Sequence, residues 1–180
     1  MKNIIILHGT GETENSFWIP YIKDNLEKKN YKISIPDLPN TNNPVLKKQL
    51  EKSLKEDFNE ETILIGHSSG CPLILAILEN IKVEIKLSIL VAGYSQPLLG
   101  NKGNTYNIKD YYNWEKIKST CKEFIFINGV NDPWGANDIQ GRFMFDNLGG
   151  KLIINNEGHM GSDFYNQPYK KFPFLLKLID

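Results

Sequence analysis

Residues 61–78 read ETILIGHSSGCPLILAIL: an apolar run, a cluster of Gly, His and Ser, and a second apolar run. Ile63, Leu64 and Ile65 suit a strand covered on both faces, and the spacing predicts a helix from about Ser69 to Asn80. Between the two, Gly66 and Gly70 bracket Ser68 in the pattern G-x-S-x-G. A strand that runs straight into a helix must turn sharply, and a side chain at either glycine would clash across the bend. Such a turn holds its central residue in a strained conformation, with the hydroxyl exposed at the top of the sheet. The helix N-terminus below it offers unpaired N–H groups and a positive dipole end to any negative charge that forms there.

The same alternation extends along the chain. NIIIL (3–7) is another continuous apolar strand. Trp18, Ile22 and Leu26 then fall on one face of a helix, with Pro20 near its start. YKISI (31–35) alternates apolar and polar residues, which suits a half-exposed edge strand. Asn43-Pro44 offers an N-cap and a first-turn proline for a helix carrying Leu46, Leu50, Leu54 and Phe58. LSILVAG, EFIFING and KLIIN bring the strands to six, with helices near 113–118, 138–147 and 168–178. Strands alternating with helices predict an open α/β fold, a parallel sheet with helices on both faces. No repeat or composition break marks a second domain, so residues 1–180 are expected to form one.

Composition narrows the function. The 21 basic and 21 acidic side chains cancel, which argues against nucleic-acid or anionic-membrane partners. Arg142 is the sole arginine, so a phosphate or carboxylate clamp built on guanidinium groups is not expected. The apolar run near the N-terminus ends at Leu7, too short for a signal peptide, and no stretch is long enough to cross a bilayer. Cys71 and Cys121 lack metal or CxxC spacing and read as reduced core thiols of a cytoplasmic protein.

A serine hydroxyl needs a base to become a nucleophile. His67 adjoins Ser68, but neighbouring residues on such a turn diverge, so it is expected to pack beside the serine or line a substrate pocket. His159, in the loop after KLIIN, would emerge at the same sheet edge as Ser68 and is the expected base. Asp132, after EFIFING and before Pro133, can accept the Nδ1–H of His159, although an Asx turn before proline would also explain it. Asp138 and Glu157 are the rival acids. HGTGE (8–12) fails as a dinucleotide fingerprint and as a P-loop. As an oxyanion loop it works, with an N–H near Thr10 pairing with that of Ser69. His8 would brace this loop.

These residues carry a resemblance. ILHGTGE, IPDLPN, LIGHSSGC, NWEKIK, NGVNDPW, LGGKLIINNEGHM and FPFLLKLI are similar to segments of a small, lidless serine-hydrolase family of the α/β-hydrolase superfamily, typified by retinoblastoma-binding protein 9 and YdeN-like proteins. The resemblance implies a single α/β-hydrolase domain without a cap domain, strand order 2-1-3-4-5-6, and a triad of Ser68, Asp132 and His159. It implies carboxylesterase-like hydrolysis of a small ester, or of an amide, through an acyl-enzyme on Ser68, with no cofactor or metal. The chain departs from the family at Ser69, where a large apolar residue is more usual. Its STCKE (119–123) also lacks the leucine of the retinoblastoma-binding motif, so that partner is not expected.

The Tyr-rich stretch 93–114 is long for a connection. Tyr94, Tyr106, Tyr111 and Tyr112, with Trp134, are expected to wall an aromatic, uncharged pocket for a small acyl substrate, while Trp114 packs in the core. Two other readings use the same residues: a non-catalytic binding protein, and an acyltransferase that excludes water.

Overall fold

The computed structural model describes residues 2–98 and 105–179; part of the Tyr-rich stretch, 99–104, lies outside the described residues. Six strands make one parallel sheet: β1 (Asn3–Leu7), β2 (Lys32–Ser34), β3 (Ile63–His67), β4 (Leu87–Val91), β5 (Phe124–Gly129) and β6 (Lys151–Asn155). Their order is β2-β1-β3-β4-β5-β6, as the resemblance implied. The alternating strand β2 lies at one edge, and the partly exposed β6 lies at the other.

The pleat divides the apolar residues between two cores. Ile4, Ile6, Ile63 and Ile65 point to one face, where Trp18, Ile22 and Leu26 of α1 (Ile19–Glu27) and Leu175 of α6 (Pro173–Lys177) cover them. Ile5, Leu7, Leu64, Leu90 and Phe126 point to the other. That face is covered by α2 (Leu46–Ser53), α3 (Gly70–Asn80), α4 (Trp114–Lys118) and α5 (Asp138–Leu148). Helix α3 is buried from Gly70 to Leu78, because α2 and α4 flank it while the sheet lies beneath. This explains why its sequence is apolar all round. Trp114 packs against this core, as expected.

Two helices are shorter than their patterns suggested. The leucine repeat runs on to Phe58, but α2 ends at Ser53, with Leu54 at its C-cap. The Asn43-Pro44 cap is also displaced: Val45 holds the N-cap position, and Asn43 closes a turn to Asn40. Helix α6 keeps only the Pro173–Lys177 portion of the expected 168–178. No helix or strand is inserted between β4 and α4 among the described residues. Nor is any described helix long and apolar enough to cross a membrane.

The tightest joint between layers is at Gly70, where a Cβ would sit 2.1 Å from the Leu7 carbonyl oxygen. Backbone cannot swing aside as a side chain can. Gly70→Ala is therefore expected to lower the unfolding free energy by about 1–3 kcal/mol, the usual cost of overpacking, measurable by urea denaturation.

Candidate active site

Ser68 follows β3 directly and precedes α3, with Ser69 as the N-cap. Its φ of +52° is the left-handed conformation that costs a non-glycine residue free energy. The turn is locked from both sides. The Ser68 N–H donates to Val91 O at 3.0 Å, and its carbonyl accepts from Cys71 N–H at 2.9 Å. A Cβ at Gly66 would lie 2.9 Å from Ile74 Cδ1 and 3.1 Å from Cys71 Cα. The clash expected at Gly66 is thus with the helix, whereas at Gly70 it is with β1. Cys71 is no rival nucleophile: burial pushes its thiol well above its ordinary 9.0.

Asp132 and His159 stand together. Asp132 Oδ2 lies 2.7 Å from His159 Nδ1, with side-chain exposures of 0% and 5%. The other oxygen, Oδ1, accepts the Trp134 N–H at 2.8 Å. Both sequence readings of Asp132 are therefore satisfied, one at each oxygen. The rival acids lie elsewhere: Asp138 opens α5, and Glu157 accepts the Tyr169 hydroxyl. His159 and Ser68 line one cavity of about 420 Å³. Among the described residues Ser68 Oγ forms no hydrogen bond, to His159 or to any other group.

The loop after β1 crosses the same cavity. Gly11 N–H donates to Thr41 O at 2.8 Å, and the Thr10 hydroxyl donates to Ser69 Oγ at 2.9 Å. The backbone N–H groups of Thr10 and Ser69 have no acceptor among the described residues. His8 is buried, with Nδ1 3.1 Å from Gly9 O.

His67 is a correction. Expected on the pocket wall, it is wholly buried and absent from the cavity lining. Its Nδ1 lies 2.7 Å from Glu12 Oε1 and its Nε2 lies 2.9 Å from the His159 carbonyl oxygen. Burial is the largest influence on both groups and opposes charge on each. The attraction and hydrogen bonds between them outweigh it, so Glu12 ends below its ordinary 4.5 and His67 above its ordinary 6.5. Glu12 is a site residue that sequence reasoning missed. It stands in HGTGE, but its partner is 55 positions away, beyond any local pattern.

The pocket also differs from its expected composition. Tyr94, Tyr106 and Trp134 line it, but Tyr111 is exposed and Tyr112 is buried in the core. Phe17, Leu98 and Phe164 complete the apolar wall, and the carboxylates of Glu12 and Asp163 make it other than uncharged. Among the described residues, no group of three or more His, Cys, Asp or Glu side chains could hold a metal ion.

A family model described as serine hydrolase matches residues 4–178. The Bacillus subtilis (strain 168) protein YdeN is 32% identical over 101 residues, which cover 54% of this chain and 53% of YdeN, about half its length. Serine hydrolase RBBP9 of Rattus norvegicus is 27% identical over 132 residues, 71% of this chain and 69% of that protein. The crystal structure of the B. subtilis ydeN gene product superposes with a TM-score of 0.90 at 22% identity, covering 99% of this chain and 97% of that one. Est1E of Butyrivibrio proteoclasticus, solved with ferulic acid, superposes at 0.66 with 16% identity, over 99% and 90% of the two chains.

Two outcomes follow from this arrangement. Because glycine accepts positive φ, Ser68→Gly is expected to be more stable than Ser68→Ala by about 1 kcal/mol in urea unfolding. The charge of Glu12 contributes stability above pH 4.5 that is lost as pH falls through its lowered folded value; that of His67 contributes below pH 6.5 and is lost as pH rises through its raised value. The stability difference between wild type and Glu12→Gln is thus expected to be largest between pH 4.5 and 6.5 and to shrink on either side, as urea titrations across pH would record.

Proposed function

The chain belongs to the serine hydrolase family, and on that premise we propose that it cleaves a small carboxylic ester, or an amide, through an acyl-enzyme on Ser68. One observation carries the reading. The Asp132–His159 hydrogen bond of 2.7 Å occupies Nδ1 and leaves Nε2 as the basic nitrogen of a ring that shares its cavity with Ser68.

Ser68 Oγ attacks the substrate carbonyl while His159 Nε2 takes the hydroxyl proton. Asp132 holds the ring's tautomer and stabilises the imidazolium. The oxyanion sits between the N–H groups of Thr10 and Ser69, both without another acceptor among the described residues. His159 then returns its proton to the leaving alcohol or amine, which departs with the electron pair of the broken bond. Water, deprotonated by the same nitrogen, attacks the acyl-enzyme and releases the acid with Ser68 restored. Catalytic hydrogen bonds commonly tighten only around bound substrate, which accommodates the unpaired Ser68 hydroxyl of the free protein.

The lining favours an uncharged acyl group. Phe17, Tyr94, Leu98, Tyr106, Trp134 and Phe164 give it an apolar wall, and its acidic residues are Glu12 and Asp163. With no Lys or Arg among those lining residues, an anionic substrate would lack a counter-charge. The two free, buried cysteines agree with a reducing, cytoplasmic setting.

A fluorophosphonate probe and a panel of short and medium acyl esters test the reading. Wild type is expected to be labelled and to turn over ester, and Ser68→Ala to do neither. Asp132→Asn is expected to lower kcat by up to about 10⁴. Folded wild-type protein that neither labels nor hydrolyses any ester refutes the proposal. An acyl product that shifts wholly to added alcohol would reassign it as a transferase.

A further inference from the structure

Resting on the reading above, we infer that the buried Glu12–His67 ion pair is a positioning device that holds the oxyanion loop and the base loop in register around Ser68. His67 is the last residue of β3, and its backbone is paired with Val91 in the middle of the sheet. From that rigid anchor its ring reaches both ways. Nδ1 meets Glu12 Oε1 at 2.7 Å, and the other Glu12 oxygen accepts the Gly9 N–H at 2.8 Å. Nε2 meets the carbonyl of His159 at 2.9 Å. One unbroken chain of hydrogen bonds thus links the loop that carries Thr10 to the residue that would act as base.

The chemistry of the acceptors sets the ring's charge. Neither a carboxylate nor a carbonyl can donate, so both nitrogens of His67 must carry protons. A neutral tautomer would leave one lone pair facing an oxygen. The ring packs in T-shaped contacts with Phe17 and Trp18, at 5.9 and 5.7 Å between ring centroids. The titratable groups around it are Glu12, the His159 ring at 5.1 Å and Asp132. Trp18 adds a second hold on the base loop, donating from Nε1 to Met160 O at 3.0 Å. The fit is close at the other end as well. A Cβ on Gly9 would lie 2.5 Å from Glu12 Oε1 and 2.9 Å from Ser68 Cβ, so the carboxylate and the serine both close on the loop at Gly9. A buried ion pair contributes little net stability over an apolar pair of the same volume, and its better-attested use is to fix one arrangement among several.

Two measurements test this. In the wild-type protein, long-range proton–nitrogen NMR of labelled histidine should show His67 still protonated at both nitrogens at a pH where an ordinary histidine has lost one proton. This result does not depend on any activity. Glu12→Gln keeps the side chain's size and an acceptor for Gly9 but removes the charge. His67→Gln keeps a donor toward the His159 carbonyl and His67→Asn one toward Glu12. In each folded variant kcat for ester is expected to fall roughly tenfold or more, short of the ~10²–10³ for loss of an oxyanion donor, with KM within about twofold and probe labelling slowed in parallel. The Glu12→Gln/His67→Asn double variant should lose no more than the worse single variant, as residues acting as one unit do. A neutral His67 in the wild type overturns the proposal even where a variant fails to fold; unchanged kcat in a folded variant, or additive losses, does so too. Wild type that hydrolyses no ester refutes the hydrolase reading instead, before any variant is compared.

Discussion

Backbone meets backbone where β1 and β3 leave the sheet, and the geometry of this edge depends on that contact. Gly70 stands so close to the Leu7 carbonyl that no Cβ fits, which brings the start of α3 against the end of β1. Ser68 must then turn the chain within one residue, at a φ of +52°. That conformation costs about 1–3 kcal/mol. The helix it launches buries Leu73, Ile74, Leu75, Ile77 and Leu78 completely. At roughly 1.5–3 kcal/mol for each side chain removed from water, a few of these outweigh the strain. The half-buried serine is held in its turn by the burial of the helix behind it.

Two carboxylate–imidazole pairs lie side by side at this edge, and the second nitrogen of each ring separates their properties. His159 has Nδ1 committed to Asp132 and Nε2 without a partner among the described residues, so it is free to accept a proton. His67 has both nitrogens committed, to Glu12 and to the His159 carbonyl, so it has no lone pair to offer. Proximity to Ser68 in sequence favours His67, the histidine whose nitrogens are both engaged. The strand end directs the ring of residue 67 away from the cavity and into the layer between loops. Residue 159, on a loop, turns toward the cavity.

The difference between what was legible in the chain and what was not follows from the range of the interactions. The strands could be read because central parallel strands are covered on both faces and so are apolar throughout, as in Ile63–Ile65; the edge position of β2 showed in its alternation. The turn at Ser68 could be read because its glycines are required locally. Periodicity misled at α2, where Leu54 and Phe58 continue the helical spacing but Leu54 caps the helix and Phe58 packs against the core from the loop beyond. The pocket wall was only partly legible. Tyr111 and Tyr112 are adjacent and chemically alike, yet one is exposed and the other buried. Phe164 lines the cavity from the loop after His159, in a stretch without periodicity. The Glu12–His67 pair joins the loop after β1 to the end of β3, a proximity that no spacing within either segment encodes.

The charge inventory explains why placement matters so much in this site. Arg142, the sole arginine, pairs with Asp146 on α5, 3.7 Å away, and no Lys is among the residues lining the cavity. Of the carboxylates at hand, Glu12 is matched by His67 and Asp132 is bonded to His159, which leaves Asp163, exposed to solvent and screened by it. On the proposed reading, negative charge developing on a substrate oxygen would meet no Lys or Arg on the cavity wall. Its stabilisation would then fall to backbone N–H dipoles and the N-terminal end of α3, whose effect declines within the first turn of the helix. Dipoles act over shorter distances than charges, so displacement of a loop weakens their effect more steeply than it would weaken that of a cation. A site that relied on amides in place of Lys or Arg would need its loops held closely, and the close glycine contacts at positions 9 and 70 add a steric constraint to the hydrogen bonds of Glu12 and His67.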